Sequence, residues 1–206
     1  MFVEGTLRWQ VTEDCPWDLL MALALRDLAG LGAIGEPVLP RLSPAVVPVL
    51  HGARSTMTAT RPRRDLLERQ WLALFEAAAD REHRALTPLL QPPHFSALDR
   101  AIELQDVVIA NYEVAARWAR DRHAEYARAS LEHHAVRAAD IVDVVREREH
   151  ELRRQAGYFR LDIDVLPLAE AGAWIVGPHT VAVSTTMRDD STAFRAWFRP
   201  LVAALV

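Results

Sequence analysis

"FRLDIDVL", Phe159 to Leu166, is the stretch on which the fold turns. Phe159, Leu161, Ile163 and Val165 alternate with Arg160, Asp162 and Asp164. Successive side chains of an extended chain point to opposite faces, so a period of two predicts a strand with one face in a core. The charged set reads as a solvated sheet surface in which Arg160 offsets the two aspartates. The sharper alternative is that Asp162 and Asp164 present paired carboxylates for acid–base work.

Downstream, "AWIVGPHTVAVSTTM" (173–187) predicts a hairpin turning at Gly177-Pro178. Asp189 or Asp190 then caps a last helix carrying Phe194, Trp197, Leu201 and Leu205, which Pro200 is expected to bend or restart. Upstream, 97–156 contains neither glycine nor proline. A single helix of that length would run about 90 Å, against a radius of gyration of about 17 Å for a compact domain of this size. The segment therefore reads as two helices broken near 127–136, "ARASLEHHAV" with Ser130 and the adjacent His133 and His134 inside it, and ended by Gly157 as a left-handed cap.

Nearer the N-terminus, Leu7, Trp9 and Val11 alternate with Thr6, Arg8 and Gln10, a second half-buried strand. "DCPWDLLMALALRDLAGLG" follows as a helix capped by Asp14 or Cys15, with Pro16 in its first turn and Gly30 or Gly32 at its end. Its middle is apolar all round, which predicts burial. The prolines of 36–62 predict an extended connector. A helix from about Pro62 to Leu86 carries Leu67, Trp71, Leu74 and Ala78 on one face. Ser96 and Asp99 resemble a capping box opening the next.

Strands at both ends with helices between them predict one α+β domain over 1–206. Its expected core is a small antiparallel sheet, the N-terminal strand plus a C-terminal three-stranded meander, covered by four to five helices.

Composition excludes several functions. The net charge of -4 favours neither nucleic acid nor an anionic membrane, and "RPRR" (61–64) reads as solvated. All 24 basic residues are arginine, so no lysine is present for a Schiff base, a pyridoxal aldimine or a P-loop. Cys15 is the sole cysteine, which rules out an intrachain disulfide and a multi-cysteine zinc site. The eight glycines form no phosphate cradle, and no Gly-x-Ser-x-Gly elbow is present. The longest apolar run, Leu19 to Leu25, is too short to span a bilayer. The opening "MFVEGTLRWQV" is too charged for a secretory signal, so a cytoplasmic protein without membrane attachment is expected.

Two Asp/Glu-x-x-His pairs, Asp80–His83 and Glu147–His150 in "VREREHELRR", have the spacing by which di-iron bundles hold metal. Both pairs lie across their helices from the apolar stripe, beside Glu76 in one case and Asp140 and Asp143 in the other. They are expected to face water, with no metal and no cofactor bound. Near the apolar stripes fall His134 and Glu149 in one helix and Gln105, Asn111 and His123 in the other. A polar group there needs a partner, so these residues are the candidates for a polar pocket. Trp118 and Tyr126 are expected to fill core.

The functional expectation is an interaction or accessory protein that binds itself or another protein through its helices, as a homo-oligomer or in a complex. The alternative is an enzyme with a buried polar pocket between helices, built from His134, Glu149, His123 or Asn111.

Overall fold

A computed structural model describes residues 2–3, 8–32, 34–48, 61–80 and 90–206. They group into two compact units, 1–15 with 124–206 and 16–123. The fold is α+β.

The first unit holds a five-stranded sheet: β1 (Phe2–Val3), β2 (Trp9–Asp14), β3 (Phe159–Leu166), β4 (Ala173–Gly177) and β5 (Thr180–Ser184), in the order β1-β2-β3-β5-β4. The N-terminal strand joins the C-terminal ones, as expected, but the sheet is mixed rather than an antiparallel meander. β2 and β5 both run parallel to β3, while β1 and β4 run antiparallel at the edges. Burial explains the order. Every residue of β5 is buried, whereas none of β4 is. A strand buried on both faces takes an interior place, so the hairpin folds β5 in beside β3 and leaves β4 outside.

Parity divides the sheet. Trp9, Val11, Phe159, Leu161, Ile163, Val165, Val181 and Val183 form one core. Against them pack Ile141, Val144 and Val145 of helix α4 (His134–Leu152) and Phe194, Phe198 and Val202 of helix α6 (Ser191–Leu205). Asp190 caps α6 by accepting from the amides of Thr192 and Ala193. The helix runs on through Pro200 rather than restarting there. Between β5 and α6 lies the short helix α5 (Thr185–Asp189), whose cap is Ser184.

In the second unit, α1 (Trp17–Leu28) is buried continuously from Leu19 to Arg26. Its N-cap is Pro16, with no side-chain cap, in place of Asp14 or Cys15. Gly30, at φ 64°, closes it, with Gly30 and Leu31 donating back to Asp27 and Arg26. The following connector, described to residue 48, is tied down by this last turn. Arg26 donates to the carbonyls of Leu39 and Pro40, and Asp27 accepts from the Leu42 amide. Helix α2 (Arg61–Ala79) buries Leu67, Trp71, Leu74 and Ala78, and the Trp71 indole donates to the Ala22 carbonyl at 2.7 Å.

Ser96 to Leu98 form a 3-10 turn with no side-chain cap rather than the start of the next helix, and Asp99 accepts from the Gln105 side chain. Helix α3 (Ile102–Glu132) begins after it. α3 and α4 are separate helices, and the break falls at His133, inside the expected window. α4 ends before Gly157. Arg153 adopts the left-handed conformation (φ 50°), and Glu149 accepts the Ala156 amide at 2.8 Å, which holds the chain off the helical path.

Candidate functional site

The polar residues that the fold gathers lie at the carboxyl ends of the parallel strands. Glu13 has the inward parity of Trp9 and Val11, so the end of β2 carries a carboxylate into the core side of the sheet. Buried charge must be matched. The Glu13 carboxylate accepts from Arg137 at 3.0 Å through one oxygen and from Arg188 at 2.7 Å through the other. Arg188, in α5, also donates to Asp140 at 3.3 Å and to the Arg137 carbonyl at 3.0 Å. Its guanidinium lies over the Phe194 ring at 4.0 Å. Asp140 accepts further from the Ser191 hydroxyl and from Arg195, whose second amino group pairs with Asp143. Those two carboxylates hold the Arg195 guanidinium above its ordinary pKa, chiefly through the hydrogen bond to Asp140. Arg137 pairs outward with Asp189 and sits over the Tyr126 ring. Two buried carboxylates thus meet two buried guanidiniums, and a planar guanidinium serves several acceptors at once where an ammonium could not. Asp140, expected on the wet side of α4, is instead buried. With its charges so matched, this network is built to join β2, α4, α5 and α6.

The opposite parity gives Thr12, Asp14, Asp162, Asp164 and Thr180 on the other face of the sheet. Asp162 and Asp164 are buried, not solvated. Thr12 donates to Asp162, and Arg160 pairs with it at 3.1 Å. Asp14 lies directly across from Asp164 in the parallel ladder, and Asp14 accepts the amide of Cys15. Cys15 is a buried free thiol whose pKa is pushed well up, first by burial and then by the charges of Asp14 and Asp164. A raised pKa leaves the neutral thiol at physiological pH, a poor nucleophile. Carboxyl ends of parallel strands are where open α/β sheets commonly bind ligands. Among the described residues, however, no group of three or more His, Cys, Asp or Glu is placed to hold a metal ion.

Within each helix the candidate pocket residues stand far apart. His134 and Glu149 stand 15 residues apart on α4, about 22 Å along the axis. Asn111 and His123 stand 12 apart on α3, about 18 Å. His134 and His123 are exposed. His134 has the direction of Ile141 but sits in the first turn of α4, beyond the core. Asn111 donates to the Val107 carbonyl of its own helix, and Gln105 to Asp99 and to the carbonyls of His94 and Phe95. Glu147 meets Arg199 at 3.3 Å on the surface. Glu149 and His150 line, with Arg146, Arg153, Arg154 and Gln155, an open concavity of about 660 Å³ at the end of α4. Asp80 is exposed, and His83 lies outside the described residues. Of "RPRR", Arg63 pairs with Asp106 and Arg64 with Glu68. Trp118 is half-buried, its indole donating to the Pro44 carbonyl, and Tyr126 is half-buried against the sheet core.

Two large apolar side chains are exposed at the α3–α4 elbow. From Arg120 to Val136 no residue is buried. Leu131 is 81% exposed and Val136 56%. The first half of α3 is better covered: Leu104, Val107 and Val108 are buried, and Ile102 and Ile109 remain outside.

No protein-family model, no curated protein and no solved structure matches the chain. No described helix is long and apolar enough to cross a membrane.

Proposed function

We propose that the protein is a cytoplasmic interaction protein that pairs with a second copy of itself through the α3–α4 elbow. The observation that carries this is the exposure of Leu131 in a helical stretch with no fully buried residue. At 100° per residue, Ala124, Ala127 and Leu131 share one narrow stripe of α3. Arg128 and Glu132 flank that stripe on one side. Both are exposed, and neither has an ion-pair partner among the described residues.

That pattern is self-complementary. Two antiparallel copies of α3 related by a twofold axis near Ser130 set Arg128 of each against Glu132 of the other. Leu131 of each then lies between Leu131 and Ala127 of its mate. A twofold interface repeats every contact, and burying a leucine side chain contributes about 1.5–3 kcal/mol.

Sedimentation equilibrium at micromolar concentration tests the proposal. A concentration-dependent dimer is expected, and Leu131→Glu is expected to give a monomer with unchanged helical circular dichroism. A wild-type protein that stays strictly monomeric overturns it.

A further inference from the structure

The geometry points to a phosphate-binding site at the carboxyl end of α4, formed by Arg146, His150, Arg153 and Arg154 and suited to an oligophosphate. It is independent of the elbow and begins from how the charges of "VREREHELRR" are sorted. Glu147 pairs with Arg199, Glu151 with Arg148, and Glu149 accepts the Ala156 amide. Two of the segment's three carboxylates are thereby paired with arginines outside the lining, while Glu149 is on the lining with one oxygen held by the Ala156 amide. Arg146, His150 and Arg153 keep no ion-pair partner among the described residues. Arg154 donates to the main-chain oxygen of Val206 at 2.7 Å, which fixes its position.

Arg146 and His150 are one turn apart on α4, and Arg153 and Arg154 follow in the turn that ends it. All four line the same concavity, of about 660 Å³. Small-molecule sites usually measure about 300–1,000 Å³. Cations at a helix C-terminus also answer the helix dipole, but that end carries only about half a negative charge. Three guanidiniums exceed it even with the Glu149 carboxylate on the same lining, on a chain whose net charge is -4. Arg153 moreover holds a left-handed backbone, which glycine favours, so its side chain rather than its backbone gives the position its use. Guanidiniums bind phosphate oxygens in pairs. An anion with several charged oxygens in a row can engage three of them, whereas a single carboxylate cannot.

Calorimetric titration of the full chain with inorganic tripolyphosphate, and separately with ATP, tests this. These two arms present the same phosphate chain as a free anion and as part of a nucleotide. Saturable one-to-one binding is expected, weakening steeply with added salt because exposed charges are screened. Arg146→Gln combined with Arg153→Gly should weaken it at least tenfold. Glycine suits the backbone at 153, so this variant keeps the fold, and an unchanged thermal unfolding curve checks that. Binding of tripolyphosphate alone assigns a free oligophosphate, and tighter binding of ATP assigns a nucleotide. Absence of saturable binding in both arms, or equal binding by the folded double variant, overturns the site.

Discussion

Arg188 has no water to fall back on. Its guanidinium is fully buried between Glu13 and Asp140, with the Phe194 ring against its face. Arg188→Ala would leave two carboxylates facing each other inside the unit with one guanidinium fewer. Breaking a buried pair by removing one partner costs about 3–5 kcal/mol, and urea denaturation is expected to show a loss of that size. Arg199→Ala removes a half-exposed partner of Glu147, where water replaces the lost contact, and should cost less than about 1 kcal/mol. Similar losses for the two would mean that Arg188 is not carrying buried charge. Cys15 gives a pH test at the same scale. Its folded pKa lies above the unfolded value, so the folded state binds the proton more tightly. Stability is full below about 8.5, the ordinary thiol value, and falls as pH climbs from there toward the folded value. Ellman's reagent is expected to leave Cys15 unmodified in the native protein and to react once urea unfolds it. Prompt native reaction at pH 8 would sink the argument.

At the scale of elements, the same residue type has different worth in different strands. Ile163 is fully buried in the central strand β3, while Ile175 in the edge strand β4 is 69% exposed. Ile163→Ala should cost about 2–5 kcal/mol, and Ile175→Ala only a few tenths, because little area leaves water there. Denaturant midpoints of the two variants check this, and a loss under 1 kcal/mol at Ile163 would count against its place in the core. β3 was legible in the sequence because alternation is a local property of eight residues. The order of strands was not, since Phe159–Leu166 alternates identically whether its neighbour runs parallel or antiparallel. The break at His133 was legible as two long helices that cannot fit as one. The charge network was not legible: the expected strand stopped at Val11, short of Glu13, and Asp140 was expected on the wet side of α4. Their partner Arg188 lies 175 residues from Glu13, and no local pattern joins them. His134 misled because helical direction does not say where along its axis a helix meets the sheet.

For the molecule as a whole, the charges fall into three settings. Those at the sheet end pair in the interior, those at the end of α4 face a concavity, and Arg128 and Glu132 on the elbow, without ion-pair partners among the described residues, stand beside exposed leucine and alanine. Only the last arrangement is its own complement under a twofold axis. A charge swap isolates that property from folding. Arg128→Glu sets glutamate against Glu132 across the axis twice per dimer, and like charges placed opposite one another repel. The dimer is therefore expected to weaken by about tenfold or more, since every 1.4 kcal/mol is a factor of ten. Glu132→Arg alone should do the same by opposing two arginines. The double variant Arg128→Glu with Glu132→Arg restores opposite charges across the axis and should recover most of the wild-type association constant. Each chain keeps a four-residue spacing between opposite charges in the double variant, so helix content should stay constant between it and the wild type. Sedimentation equilibrium on all four proteins reads the cycle. Recovery in the double variant identifies contact between copies at this stripe. Single variants that dimerise as well as wild type, or a double variant weaker than either single, would show that the two side chains do not meet across an axis.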